Sequence, residues 1–383
     1  MRYTTAGESH GRALVTIVTE VPGGIPLAAA AIDADLARRQ GGYGRGGRMK
    51  IENDRVAVLS GLRFGKTLGT PVALTIGNRD WDNWIDVMAT SGEPVESARV
   101  TTPRPGHADL AGIQKIGSRD IRDVLERASA RETAARVAAG AVARALLVEV
   151  GVSVMSYVSR IGDVVLDAEP DPDELAYGLV EASDVRCPDA TTTASMRAAI
   201  DRARAAGESL GGIFVVVATG LVPGLGGYAQ ADQRLGSRLG SAVLSIPAIK
   251  GVEFGDGFAL GGTPGSLAHD AIRYEPGRGI VRDSNHAGGL EGGMTNGEPL
   301  VLRAVMKPIP TLMSPLSSID IDTLAPVDAL RERSDVCAVP AAAVVAEAEV
   351  ALVLATAYAE KFGGDDLADM KASLAQYRAR IAR

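Results

Sequence analysis

Clustered glycine constrains this chain more than any other feature. Its 45 glycines among 383 residues come to about 12%, against a usual ~7%. They gather in runs such as Gly41-Gly42-Tyr43-Gly44-Arg45-Gly46-Gly47 and Gly288-Gly289-Leu290-Glu291-Gly292-Gly293. No G-X-Y period runs through them, which excludes collagen. Such runs mark loops where backbone turns tightly or approaches a ligand closely. Aromatic residues are only 4%, so the core must be built from Ala, Val, Ile and Leu. The balance of 46% hydrophobic to 23% charged residues is that of a globular chain, not a disordered one.

Forty Lys and Arg against 47 Asp and Glu leave a net charge of −7. That argues against nucleic-acid or anionic-membrane partners, which need a basic face. Cys187 and Cys337 lie far apart and form no C-x-x-C pair, so a disulfide scaffold or structural zinc site is not expected, and a reducing cytosol suits the chain. Met1-Arg2-Tyr3-Thr4-Thr5 lacks the apolar core of a signal peptide. The longest strongly apolar stretch read from the sequence, Ile213 to Ala218, is far short of the ~20 residues that span a bilayer. The expectation is a soluble, cytoplasmic protein.

Strands are predicted at Leu14–Val21, Val56–Leu62, Pro71–Ile76, Val152–Val158, Ile213–Thr219 and Leu300–Met306. Helices are predicted at Ile32–Arg39, Ser129–Val150, Pro188–Ala206, Arg234–Leu244 and Pro340–Phe362, with a polar helix after the last. Ser129-Ala130-Arg131-Glu132 reads as a capping box. Asp80 to Pro105 is polar and irregular, and residues 251 to 297 read mostly as loop. No linker separates two domains. Strands in hairpin-like clusters between long helices suggest stacked sheet and helix layers rather than strict alternation.

Three motif matches point the wrong way. Gly42 to Gly47 fits G-x-G-x-x-G, but it follows a helix and precedes none, whereas a dinucleotide fold needs strand, loop and helix in that order. Gly61 to Thr67 is one residue short of a P-loop and leads into a strand. Gly7-Glu8-Ser9-His10-Gly11 fits a hydrolase nucleophile elbow but starts too near the N-terminus and precedes a β-branched run.

The chain has four histidines, so each can be weighed. His10 and His107 sit in rigid Gly/Pro frames, the kind of loop that fixes a side chain in a site. Neither has a Cys or His partner at ligand spacing, so acid–base work near neutral pH is the better reading than metal binding. His269 reads as an ordinary packed or surface group, and His286 stays undecided. Five cations and no acid lie between Arg38 and Lys50 (Arg38, Arg39, Arg45, Arg48 and Lys50). A second basic group, Arg119, Arg122, Arg127 and Arg131, leads into the helix predicted at Ser129. Lys307 follows a strand in a rigid Pro turn, and Arg333-Ser334-Asp335 precedes the last apolar helix. Gly/Arg loops and a helix N-terminus are anion sites, so the ligands expected are small and multiply anionic. No carboxylate pair supports glycosidase chemistry.

Taken in order, several blocks resemble the chorismate synthase family. They are Gly7–Gly11, Gly42–Gly46, Arg104-Pro105-Gly106-His107-Ala108-Asp109 and Arg127-Ala128-Ser129-Ala130-Arg131-Glu132-Thr133. Ile249-Lys250-Gly251-Val252-Glu253, Gly288–Gly293 and Arg333-Ser334-Asp335-Val336-Cys337 complete the series. Together they run over nearly the whole chain.

The resemblance implies an α+β fold, a layered β-α-β sandwich forming one domain over 1–383, with C-terminal helices at about 340–381, assembled as a homotetramer. It implies loss of phosphate from 5-enolpyruvylshikimate 3-phosphate to give chorismate, using reduced FMN without net redox change. NADPH would enter only as an indirect reductant. By the same resemblance His10 would protonate the departing phosphate, His107 would hold or protonate the reduced flavin, and Asp335 would assist proton removal. Arg39, Arg45 and Arg48 would line the substrate or nucleotide side. Arg127, Ala128, Ser129, Pro247, Ala248, Gly292, Lys307, Pro308, Ile309, Pro310, Thr311 and Arg333 match flavin-contacting blocks. The chain departs from the family pattern at Ser334, where many members have His, and at Pro310, where a small hydroxyl residue is common. An NADPH-linked flavin reductase and a non-catalytic flavin- or anion-binding protein are the alternative readings.

Overall fold

The computed structural model describes residues 1–46, 53–277, 279–330 and 335–382. Two antiparallel sheets dominate it. In the first, Arg2–Ala6, Ala13–Thr19, Val72–Gly77 and Val56–Ser60 lie side by side in that order. Alternation sets its faces: Leu14, Thr16 and Val18 are buried while Ile17 points outward. In the second, the order is Ile249–Phe254, Leu300–Met306, Gly212–Thr219, Ser153–Ile161 and the short Val164–Val165. Phe214 to Ala218 are all buried, as expected of a central strand covered on both faces.

Helices fill the space between the sheets. Thr133–Glu149 packs on strands of the first sheet, and Val339–Phe362 packs on Ser153–Ile161 and Gly212–Thr219 of the second. The two helices also pack on each other, with Ala29–Gln40 against both. Their crossing is close: a Cβ on Gly140 would lie 2.2 Å from Cβ of Ala348 and 2.5 Å from its Cα. Glycine at 140 is what lets the backbones meet. One apolar cluster takes in Leu74 of the first sheet, Val142 and Val345 of the helices and Leu302 of the second sheet.

Most predicted elements are present within a few residues. Leu300–Met306 is a strand as expected, and the last two helices run Val339–Phe362 and Leu367–Ile381. Ser129 does cap, through Arg131 N–H, but the chain first makes a 3-10 turn, Ala130–Glu132, before the α-helix begins at Thr133. The P-loop-like stretch is a tight hairpin, Leu62–Arg63 against Lys66–Leu68.

Two expectations need correction. Residues 251 to 297 hold more regular structure than the loop expected: the strand Ile249–Phe254 pairs with Leu300–Met306, and small hairpins form at Ile272–Glu275 with Gly279–Arg282 and at Leu290–Glu291 with Met294–Thr295. Ile213 to Ala218 is also not the most extended apolar element. The helix Val339–Phe362 is long and apolar enough to cross a membrane by composition, but 89% of its most apolar window is buried inside the protein. Sheet and helices cover it on several sides, which explains its near-uniform apolarity.

Candidate active site

At one edge of the helical layer lies a cavity of about 440 Å³ lined by His10, His107, Asp335, Arg39 and Arg45, residues up to 325 positions apart in sequence. His10 arrives on the loop between the first two strands. Asn78 pins that loop by donating from Nδ2 to Gly11 O at 2.6 Å and Glu8 O at 3.2 Å. The helix Arg122–Ala128 pins it again, through Ser9 N–H to Glu126 O at 2.9 Å. Ser9 Oγ donates to Ser129 Oγ at 3.1 Å. Nδ1 of His10 lies 3.0 Å from each carboxylate oxygen of Glu126. Burial works to raise the Glu126 pKa, but hydrogen bonds and charge from His10, with Arg122, hold it below the usual carboxylate range.

His107 is built differently. Gly106 has φ +82°, and the space its Cβ would need holds the Lys307 ammonium at 3.1 Å; Lys307 Nζ donates to Gly106 O. The turn folds Arg104-Pro105-Gly106-His107 back onto Asp109, whose carboxylate is fully buried. Asp109 accepts from His107 Nδ1, and from Arg104 Nε at 2.8 Å and Arg104 N–H at 3.0 Å. Burial opposes its charge, yet these donors hold the Asp109 carboxyl far below the ordinary range.

Asp335 faces the Gly/Arg loop. Its Oδ2 is 2.7 Å from Arg45 Nη1, and its Oδ1 accepts from Gly46 N–H at 2.6 Å. Val336 N–H to Gly44 O at 2.8 Å ties the two segments together. Arg39 is 3% exposed and donates to Thr133 Oγ1 and Ala130 O, each at 2.9 Å. Burial, then Arg45, works against its charge; Asp54 partly offsets this, and Arg131 adds to it. An arginine does not give up its proton, so this crowding of guanidiniums favours a bound anion. Arg131 also lines the cavity, held by Asp54 at 2.7 Å and by Asn78 Oδ1 at 3.0 Å. Arg104 and Lys307 complete the cationic side.

Apolar residues complete the lining: Ala338, the N-cap of the long helix, and Ala341, Ala342 and Val345 within it, with Ile246, Pro247, Ala248 and Ile309. Ala248 holds a left-handed φ of 69°, a strain of the kind found at binding sites. Ala338, Ala341, Ala342 and Val345 recur at i, i+3, i+4 and i+7, the spacing of one helix face.

The structure therefore brings together His10, His107, Asp335, Arg39, Arg45, Ala128, Ser129, Pro247, Ala248, Lys307, Ile309, Pro310 and Thr311. Three predicted residues do not line the cavity. Pro308 is flanked by residues that do. Arg127 turns away to Gly7 O at 2.9 Å and to Thr5 Oγ1 at 2.7 Å, and Gly292 sits in the Leu290–Thr295 hairpin. Arg48, Arg333 and Ser334 lie outside the described residues. Sequence reasoning missed Glu126, the partner of His10, and the Ala338–Val345 wall. A larger, more open groove of about 1070 Å³ farther along the same helix is lined, among the described residues, by no histidine and by none of the predicted residues.

Two histidines, a carboxylate and several cations gathered on one partly apolar cavity are the equipment of an enzyme that does acid–base work on an anionic ligand. The comparisons make the assignment specific: the chorismate synthase family model matches residues 1–359, and the chain belongs to that family. It is 57% identical to the chorismate synthase of Symbiobacterium thermophilum over 392 residues, covering all of both chains. It is also 57% identical to that of Moorella thermoacetica, covering 99% of this chain and 98% of the relative. A solved structure described as a crystal structure of chorismate synthase superposes with a TM-score of 0.82 at 40% identity, covering 100% of this chain and 98% of that one. These matches favour neither the flavin-reductase nor the binding-module reading.

Proposed function

We propose that this chain is a carbon–oxygen lyase that removes phosphate and a ring hydrogen from 5-enolpyruvylshikimate 3-phosphate in an anti-1,4-elimination to give chorismate, the last common step towards the aromatic amino acids. The observation that carries this reading is the convergence of His10, His107, Asp335 and the arginines on one cavity. The C–O bond to phosphate and a ring C–H bond break, a new C=C bond forms, and inorganic phosphate leaves. Leaving phosphate gathers negative charge, which cations and a positioned acid stabilise. Arg39, Arg45 and Arg131 supply that field for the substrate's phosphate and carboxylates. His10, held at Nδ1, would protonate the departing oxygen.

The residues present fit reduced FMN: the Ala338–Val345 wall suits its ring, and Lys307 and Thr311 suit its phosphate. When bound, reduced FMN would supply reversible electron donation with no net redox change. His107, anchored by Asp109, would hold or supply a proton to the bound flavin, and Asp335, paired with Arg45, would assist proton removal. NADPH belongs to the scheme only as an indirect reductant. One apolar cluster shared by both sheets supports reading residues 1–383 as one domain; a cytoplasmic homotetramer completes the reading.

The test is anaerobic: mix the protein with pre-reduced FMN and the enolpyruvyl phosphate, and follow phosphate and chorismate absorbance together. Equal rates that require reduced flavin support the assignment, and no product despite flavin binding overturns it. His10→Ala should keep flavin binding while turnover falls ~10²-fold or more; unchanged turnover would remove His10 from its role.

A further inference from the structure

Neither the polar segment after Asp80 nor Glu126 has a role in the scheme above, yet both meet at His10. Glu126 is 3% exposed. Besides its contacts to Nδ1, its Oε2 accepts from the His10 backbone N–H at 2.9 Å, and its Oε1 accepts from Arg122 Nη1 at 3.0 Å. On the face of the imidazole lies the indole of Trp84, with ring centroids 3.8 Å apart and planes 21° from parallel. The Arg122 guanidinium stands over the same indole, 5.2 Å from its centroid. Trp84 is half-buried and is fixed by Nε1–H to Asp80 Oδ2 at 2.9 Å, just after the turn Trp81–Asn83.

We infer that Glu126 and Trp84 are positioning residues for His10: the carboxylate fixes Nδ1 as a donor and so leaves proton exchange with the ligand to Nε2, while the indole fixes the ring plane. The Nδ1 contacts to Glu126 set which nitrogen carries the proton, and the stacked indole fixes the plane of the ring. The nitrogen that carries the proton is set by the partner of the other nitrogen. Once His10 has given up a proton from Nε2, the ring left behind is the Nδ1–H tautomer, and Glu126 is the acceptor that tautomer needs. Arg122 joins the two supports by donating to Glu126 and covering Trp84. A proton donor that must meet one phosphate oxygen gains most from such preorganisation.

This inference rests on His10 as the acid of the proposed elimination, so its test has one arm independent of turnover. Only four imidazoles contribute to 15N spectra of histidine-labelled protein, and His10→Ala identifies the His10 signals by difference. The expected result is that wherever the His10 ring is neutral its proton sits on Nδ1; a neutral ring protonated at Nε2 would overturn the inference, whatever the enzyme turns over. The second arm compares Glu126→Gln, Trp84→Phe and Trp84→Ala. Glu126→Gln and Trp84→Ala should lower kcat ~10- to 100-fold, the usual scale for outer-shell partners. Dissociation constants for FMN and substrate should stay within about threefold, and Trp84→Phe should retain part of the rate. In a His10→Ala background the same substitutions should cost nothing further, because residues acting as a unit are not additive. Equal losses with and without His10, or full kcat in both Glu126→Gln and Trp84→Ala, would refute the positioning role. Because Trp84 is half-buried, its variants keep the test open if Glu126→Gln fails to fold. Absence of turnover in the unaltered protein would count against the proposed function, while the 15N arm would still decide this one.

Discussion

Glu347 lies on the helix that walls the cavity and is fully buried. Its carboxylate accepts from Arg38 at 2.8 Å, Arg144 at 2.6 Å, Arg186 at 3.0 Å and Ser156 at 2.6 Å. Arg38 also contacts Asp35 and Glu181, Arg144 contacts Asp35, and Arg186 contacts Glu181. Three guanidiniums are thus balanced by three carboxylates, and Glu347→Gln leaves one buried positive charge uncompensated. Breaking a buried pair in this way costs about 3–5 kcal/mol. An unfolding entropy of about 2.1 cal/mol/K per residue gives roughly 0.8 kcal/mol/K for a chain of 383 residues, so the thermal midpoint should fall by about 4–6 °C. Burial alone would raise the Glu347 pKa, but Arg144, Arg38 and Arg186 outweigh it and hold the pKa below the usual range. The contribution is therefore present at neutral pH and lost on acidification, and the variant's deficit should shrink as pH falls. Circular dichroism melts of both proteins from pH 7 to pH 3 measure this. A shift under about 1 °C at pH 7, or a deficit that grows in acid, would refute the account.

Glycine in a helix normally gains up to ~1 kcal/mol on replacement by Ala, but the Ala348 backbone blocks the site. Gly140→Ala should instead lose about 1–3 kcal/mol, read from the denaturation midpoint. Burial raises the pKa of Glu181, but Arg38 and Arg186 more than reverse this, taking it from 4.5 to about 2. Its stabilising contribution holds above pH 4.5 and fades as pH falls towards 2, so the melting temperature should be level near neutrality and decline across that window. Burial raises the thiol pKa of Cys187, and that of Cys337 to about 12. Iodoacetamide at pH 8 should modify neither cysteine until denaturant is added, as mass spectrometry would show.

Elements with long periodic runs were legible in the sequence because burial on one face imposes the period. The strand Ala13–Thr19 and the capped helix before Glu149 are of this kind. The strands within 251–297 escaped because pieces of two to six residues bounded by glycine carry too little period to detect. Arg2–Ala6 escaped for another reason: as an edge strand it never buries a face, and its residues alternate only between exposed and half-buried. His10 and His107 stood out because Gly and Pro frames announce fixed side chains, whereas Asp335 has no such frame and was reached as a catalytic candidate only through the family resemblance. Glu126 and Trp84 carried no such frame, since their place beside His10 depends on a helix and an irregular segment meeting in space. The cavity wall shows the deeper limit. Ala341, Ala342 and Val345 obey the same spacing and apolarity as their neighbours packed on the sheet, because an apolar cavity wall and a sheet contact draw on the same small apolar side chains. Telling the two apart requires knowing what lies opposite, and that is a property of the fold.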